Sequence, residues 1–442
     1  MLSGSYLVLL GQIANIILGL AKNVLLARLL GPANFGTYTI LLKTCSVAEI
    51  FSQLGTNIII VKLVGITAGA GEWGKLKGIL QSTCRIITVS SIVMVLMLLL
   101  IKKPLALQIF NSAQLYQVLI FGAAIIPLNN GLLLVKETFR GLQDLRTASF
   151  LPVFQQLVLL IALLLLSYKL VFTLANVFVV LIISLFLSLL VGSFILQRRS
   201  AKWKTEPVQT KNILKESLPM MVTKGFSLVW GSTDIFILGI YTNSTEVGIY
   251  GVVTALAATT LFSLGIINQV IPAMIAHYNA QKDFHTLSYV IRFASTIGAI
   301  FSIPFVLLLF LCGKYILNTI FGSDYAAGAT ALNLLAFGQL INSIAGSGGY
   351  VLQMIGHHIP YMKINISCGL LNIVLNILLA RHFGKEGVAA ATAISLIIQN
   401  ILVVTTVYRK TGIWTMASPA MFMEIVNQSK SYLRKILNKP DQ

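Results

Sequence analysis

Five charged residues stand inside long apolar runs of this sequence: Lys22, Lys43, Glu49, Lys224 and Asp234. A charge at mid-bilayer depth costs about 2.5–3.5 kcal/mol on the insertion scale, so such a residue faces a cavity or a partner. Asp234 is the only carboxylate in the apolar runs of the second half. A carboxyl placed there could load and release a proton or a cation. The alternatives are an ion pair with Lys22 or Lys224, or an interfacial position. Lys224 lies on the same helical face, about 15 Å away at 1.5 Å rise per residue, too far for a direct pair. Glu49 is the second coupling candidate; it sits off-face from Lys43 on a helix. Lys22, Lys43 and Lys224 could together line a site for an anionic head group, or each could snorkel to the interface.

Uncharged polar residues recur at helical spacing. Gln12, Asn15, Gly19 and Lys22 share one face, as do Gln339, Asn342, Gly346, Gly349 and Gln353, and then Asn365, Asn372 and Asn376. Such amides could bind sugar hydroxyls or bond helix to helix. The sequence contains no DxD pair, P-loop, GxSxG or HExxH, so no catalytic set emerges, and no cofactor is expected. The cysteines, Cys45, Cys84, Cys312 and Cys368, have no metal-ligand spacing, and no metal site is expected.

The elements that must position these residues are membrane helices. Of 442 residues, 57% are hydrophobic and 10% charged, against about 25% charged in soluble domains. That excludes a soluble enzyme, a disordered chain and a disulfide scaffold. Runs of about 20 apolar residues mark spanning helices. Twelve are predicted, near 5–27, 37–62, 79–101, 114–135, 149–168, 170–196, 218–241, 248–275, 288–312, 328–353, 361–380 and 386–408. Met1-Leu2-Ser3 carries no side-chain charge and no A-x-A site follows, so the first run is expected to be a retained span.

The formal charge of +19 would suggest nucleic acid in a soluble protein. No soluble segment carries a basic patch with interleaved aromatics, so no nucleic-acid partner is expected. The cations instead gather in even-numbered loops and the tail, as in Lys136, Arg140 and Arg146 and in Arg198, Arg199, Lys202 and Lys204. Odd loops hold fewer, among them Arg28, Lys102, Lys103 and Lys314. This places even loops and both termini in the cytoplasm. The tail alternates Trp414, Phe422, Ile425 and Leu433 with Lys430, Arg434 and Lys435, which suggests an amphipathic segment on the anionic leaflet.

An internal repeat is visible at an offset of 212: Gly36-Thr37-Tyr38 matches Gly248-Ile249-Tyr250. The stripe from Gln12 to Lys22 maps onto Lys224, Ser227, Gly231 and Asp234, and Asn130 onto Asn342. The expected organisation is a six-helix lobe at 1–197, a basic cytoplasmic linker at 198–217, a second six-helix lobe at 218–408 and a basic amphipathic tail at 409–442. A repeat interface is where many transporters bind substrate.

Several stretches carry a family resemblance. Leu25-Leu26-Ala27-Arg28-Leu29-Leu30-Gly31-Pro32 with Phe35-Gly36-Thr37-Tyr38 resembles the opening signature of the polysaccharide transporter family, which includes the O-antigen flippases. Phe139-Arg140-Gly141-Leu142-Gln143, Asp234 with Glu246-Val247-Gly248-Ile249-Tyr250, and Gly387-Val388-Ala389-Ala390-Ala391-Thr392 are similar to later family segments. The resemblance implies an all-α membrane protein of the multidrug/oligosaccharidyl-lipid/polysaccharide exporter fold, a MATE-like fold, with two six-helix lobes around a central cavity. It implies an undecaprenyl-diphosphate-linked oligosaccharide as substrate, moved across a bacterial inner membrane by alternating access with proton or cation coupling. Membrane lipid is then a partner, and a glycan polymerase and a chain-length regulator of the same pathway are possible ones. Arg28, Lys62 and Arg140 join Lys22, Lys43 and Lys224 as candidate lining cations, with Gln12, Asn15, Gln339, Asn342 and Asn372 as candidate sugar contacts. The rivals are a multidrug/cation antiporter of the same fold and a membrane glycan polymerase, which would need a larger polar loop. The orientation is directly testable: a reporter fused near Lys204 should read cytoplasmic and one near Ser244 should read external, and the opposite pattern would reverse the topology.

Overall fold

The computed structural model describes residues 2–169, 172–424 and 427, with side chains for 10–168, 172–221, 231–268, 270–424 and 427. The described residues contain helices and no strand. In chain order the helices are α1 (Leu2–Gln53), α2 (Thr56–Gly69), α3 (Trp73–Lys103), α4 (Ala113–Val118), α5 (Gly122–Gly141), α6 (Leu145–Lys169) and α7 (Leu174–Ser200). They continue as α8 (Thr210–Tyr241), α9 (Ser244–Ala258), α10 (Phe262–Ala280), α11 (Phe284–Ile316), α12 (Ala329–Ala345), α13 (Gly348–Met354) and α14 (His358–Thr411).

Among the described residues, eight helical stretches are long and apolar enough to cross a membrane. Two of these, Leu10–Gln53 and His358–Thr411, run 44 and 54 residues, roughly twice the ~30 Å hydrocarbon core at 1.5 Å per residue. Each is divided by a glycine with non-helical backbone, Gly31 (φ 70°) and Gly384 (φ 52°). Gly31 precedes Pro32, whose ring disfavours helix at the residue before it. Helices α8 and α12 occupy two further predicted runs. Large apolar side chains lie exposed along the helices, with Leu100 and Leu311 more than four-fifths exposed. That suits a lipid surround rather than water. The chain is an all-α multi-pass membrane protein.

Two predicted runs are interrupted by residues at positive φ. The 37–62 run breaks at Leu54 and Gly55, both at positive φ. An added Cβ on Gly55 would meet the Ser217 carbonyl and lie 2.7 Å from the Met221 nitrogen, so the α8 backbone occupies the space a side chain would take. The 328–353 run ends at Ala345, turns through Gly346 (φ 72°) and restarts at Gly348. Gln339 and Asn342 therefore belong to a different helix from Gly349 and Gln353, and the single face read from the spacing is broken.

The chain forms two compact units, Met1–Val252 with Ile320–Asp324, and Val253–Thr319 with Tyr325–Gln442. In the first, α1 packs on α6, α8, α3 and α5. Its inner core includes Ile60, Val64, Leu76, Ile86 and Leu134, closed by Ile213 from α8. The stretch 198–209 lies against α3: Trp203 stacks on Trp73 at 5.2 Å, and Glu206 N donates to Gly74 O at 3.1 Å. In the second unit α12 packs on α14 and α11, around Ile275, Leu287, Ile291, Val351 and Val407. Residues 413–418 join this unit. Thr415 Oγ1 donates to Ala345 O at 3.1 Å, Ala417 N donates to Ile344 O at 2.9 Å, and Ile413, Thr415 and Ser418 are buried. The start of the expected surface tail is thus built into the helix break, where it donates hydrogen bonds to the carbonyls of Ile344 and Ala345. Residues 425, 426 and 428–442 lie outside the described residues.

The repeat has a physical counterpart inside the first unit. An added Cβ on Gly36 would strike the Ser244 carbonyl, and one on Gly248 would strike the Pro32 carbonyl. Each would lie 2.9 Å from the other glycine's nitrogen. Both pairings, 36 with 248 and 32 with 244, follow the offset of 212, so the contact is reciprocal. A π-helical turn also ends both α3 (Pro104–Ile109) and α11 (Leu317–Phe321). Gly248→Ala should therefore lower stability by about 1–3 kcal/mol through overpacking, read as a lower melting temperature in detergent. Gly69→Ala, whose Cβ meets nothing within 4 Å, should leave it unchanged or raise it.

Candidate functional site

The closed packing of α1 on α8 and α9 brings Asp234 beside groups from two other helical segments. Asp234 Oδ1 accepts from the Ile235 nitrogen at 2.8 Å, and Oδ2 accepts from the Tyr250 hydroxyl at 3.2 Å. Lys43, on the second half of α1, acts on Asp234 through its charge, and its Nζ donates to Gly231 O at 3.2 Å. Among the described side chains the cation that acts on this carboxylate is thus Lys43, and of the alternatives the sequence leaves open, the ion pair with Lys22 is not formed. The Lys224 side chain lies outside the described residues. Tyr250 stands in the repeat motif, where its role as a hydrogen-bond donor gave no separate signal.

Six residues after Lys43, Glu49 opens onto a cavity of about 860 Å³ between α1, α2 and α5. Glu49 is buried and accepts from Asn129 Nδ2 at 2.8 Å. The wall also carries Lys62, Lys136, Glu137 and Arg140. Lys62 pairs with Glu216 at 3.1 Å, and Glu137 pairs with Lys136 at 3.2 Å and with Arg140 at 3.4 Å. Three cations therefore face two carboxylates, one of which, Glu137, is already shared by two of the cations. A volume in the ~300–1,000 Å³ range of ligand sites, with three basic side chains on its wall, suits an anionic group that replaces their carboxylate partners. The apolar run ends at 135, where the loop cations begin, so in the sequence Lys136 reads as a loop cation and Glu137 as no site residue. α5 in fact continues to Gly141, so the loop charges become helix charges on the cavity wall. The 3-residue spacing of Glu137 and Arg140 was the available signal.

Behind the cavity is a buried amide network. Asn130 Nδ2 donates to Ser52 Oγ at 2.6 Å and Ser91 Oγ at 2.9 Å, and its Oδ1 accepts from Gln53 at 2.9 Å. It pins α1, α3 and α5 together. In the second unit Asn342 lines a cavity of about 250 Å³ with Asn268, Ser347, Gln399 and Asn400.

The other candidates do not join these groups. Arg28 donates through Nε to Ile320 O at 2.7 Å, a contact that holds the end of the chain segment 320–324 on α1. Gln12, Asn15 and Lys22 are half-buried along α1 and line neither cavity. Gln339 accepts from Asn342 at 3.4 Å, and Asn372 accepts from Asn376 at 2.9 Å one turn along α14. The last is helix-internal bonding of a buried pair.

The described residues form an all-α membrane fold with one such cavity in each unit. Comparison with known proteins gives the family. Residues 1–277 match the family described as polysaccharide biosynthesis protein, and residues 219–378 match the MatE family. The chain belongs to the polysaccharide biosynthesis protein family, as the resemblance in its motifs implied. It is 25% identical over 179 residues to the probable low-salt glycan biosynthesis flippase Agl15 of Haloferax volcanii. That match covers 40% of this chain and only 37% of the Haloferax protein. In fold it is similar to an inward-facing multidrug resistance MATE family transporter of the MOP superfamily, with a TM-score of 0.78 at 13% identity over 90% of this chain and 94% of that one. It is likewise similar to the lipid II flippase MurJ in an inward closed conformation, with a TM-score of 0.74 at 16% identity over 98% and 94%.

The Asp234 cluster generates a prediction of its own. Tyr250→Phe deletes one hydrogen bond to a carboxylate and should cost about 1.5–3 kcal/mol, seen as a lower melting temperature. The same change in an Asp234→Asn background should cost less, because a neutral acceptor loses less.

Proposed function

We propose that this protein is a flippase for a lipid-linked oligosaccharide, and that the 860 Å³ cavity of the first unit receives the anionic head group. The three basic side chains on the cavity wall carry this reading. A diphosphate and a glycan cannot cross hydrocarbon unaided, because their polar groups find no partners there. Lys62, Lys136 and Arg140 supply charge-assisted donors in place of water. Family membership and the likeness to a glycan biosynthesis flippase support the substrate class. Within that class we assign an undecaprenyl-diphosphate-linked O-antigen or similar repeat unit, carried across a bacterial inner membrane with both termini in the cytoplasm. A polymerase and a chain-length regulator would then act on the product.

Transport proceeds by alternating access of the two six-helix lobes, 1–197 and 218–408. Asp234 is the coupling residue. In the present state its carboxylate draws Lys43 and Tyr250 towards α8. Proton or cation loading at Asp234 weakens that attraction and frees α8 and α9 from α1. Glu49, buried at the head of the cavity, is the second coupling candidate, since its charge subtracts directly from the attraction for an anion. A multidrug antiporter is the competing reading, favoured by the MatE match. It fits less well, because a cavity for organic cations would carry surplus carboxylates.

In proteoliposomes holding a fluorescent lipid-linked oligosaccharide, Asp234→Asn should slow flipping at least tenfold with insertion unchanged. Lys136→Ala with Arg140→Ala should weaken pyrophosphate binding at least tenfold. Full flipping by Asp234→Asn would remove the coupling role, and unchanged pyrophosphate binding by the double variant would remove the head-group site.

A further inference from the structure

The second unit contains a cavity of different chemistry. Its volume is about 250 Å³, and none of its lining residues is charged. That is somewhat below the ~300–1,000 Å³ of drug-sized ligand sites, the scale of one sugar ring rather than a chain. The wall presents four side-chain amides or hydroxyls from three helical segments, Asn268, Asn342, Gln399 and Asn400, with Tyr350 and Tyr361 beside them.

Two backbone features exist to keep this space open. The α12–α13 break at Gly346 and Ser347 puts both residues in the wall. The carbonyls it would orphan, at Ile344 and Ala345, are taken by Ala417 N and Thr415 Oγ1, so the break is stabilised from behind rather than refilled. At Gly349 an added Cβ would lie 2.7 Å from the Tyr361 ring; the missing side chain leaves room for that ring beside α13. Ser347 Oγ donates to Asn268 Oδ1 at 2.5 Å, and Gln399 Nε2 donates to Asn365 Oδ1 at 2.5 Å. These bonds orient the two amides while leaving Asn268 its NH2 donors and Gln399 its carbonyl for a ligand.

We infer that this cavity is a subsite for one uncharged sugar residue. Paired donors and acceptors from amides match vicinal hydroxyls, aromatic faces match the apolar face of a pyranose, and the lack of charge disfavours an acidic sugar or a phosphate. This rests on the flippase reading for its biological substrate, but the subsite is assigned to the sugar, whereas the first unit's cavity is assigned to the anion.

The two can be tested apart. Protein in nanodiscs is titrated by saturation-transfer NMR with methyl glycosides of neutral hexoses and N-acetylhexosamines, with glucuronate, and separately with pyrophosphate. The expected result is millimolar binding of at least one neutral glycoside, at least tenfold tighter than glucuronate, and a tenfold or greater loss in Asn342→Leu. Asn342→Gln, which keeps the amide, should retain part of the binding. Should Asn342→Leu fold poorly by melting temperature, Gln399→Leu replaces it. Absence of neutral glycoside binding, equal binding of glucuronate, or wild-type binding by the leucine variant overturns the inference. Neutral sugar binding without pyrophosphate binding would instead sink the head-group assignment and leave the sugar subsite standing.

Discussion

The backbones at 32–36 and 244–248 meet so closely that neither Gly36 nor Gly248 has room for a Cβ. Much of the first unit follows from that contact. It fastens the α8–α9 turn to the bend in α1, and a second approach at Gly55 holds the other end of α8, at Ser217 and Met221. Between these two anchor points α8 must run along α1. That course is what sets Asp234 next to Lys43 and Tyr250 and Glu216 next to Lys62. Backbone-to-backbone packing of this kind is how membrane helices associate where no hydrophobic driving force separates helix from lipid.

The positive charge of the chain divides along the same lines. Most of it is a fringe on loops and helix ends. A smaller part lies along the helices: Lys43 donates to the Gly231 carbonyl and Arg28 to the Ile320 carbonyl, and Lys62 and Arg140 pair with carboxylates, while Lys22 lines neither cavity. Exposed pairs such as Lys62–Glu216 contribute little to stability. In the proposed head-group site such pairs hold the cations at the cavity wall until a phosphate's oxygens replace the carboxylates.

How much of this could be read from the sequence depended on range. The spans were legible because a run of apolar residues is itself the requirement for crossing hydrocarbon. At Gly346 four small residues in a row lower helix propensity, but the apolar run continues through them, so the sequence reads as one span where the chain makes two helices. The break at Leu54 and Gly55 was not legible, because its cause is the α8 backbone more than 150 residues away. The repeat glycines were visible as a motif, but their mutual contact is a property of the folded chain. Arg140 and Lys62 are among the candidate cations, Arg140 through its motif, while Lys136 reads as a loop cation that sets topology. Counting loop charges treats the membrane boundary as the end of the helix, and α5 does not end there. Asp234 was recognised as costly and therefore partnered, yet the partner's identity needed the crossing of α1 and α8. Asn372 illustrates the reverse: a polar residue in a span that is satisfied by Asn376 on its own helix.

The assignment of a lipid-linked glycan to this transporter has a direct biological measurement. In a strain deleted for the gene, the lipid-linked oligosaccharide pool is quantified by mass spectrometry, with its leaflet determined by access to an externally added glycan-cleaving enzyme. The flippase assignment predicts that the oligosaccharide accumulates in the cytoplasmic leaflet and disappears from the outer one, and that the wild-type gene restores both. An unchanged pool with the same leaflet distribution would contradict it.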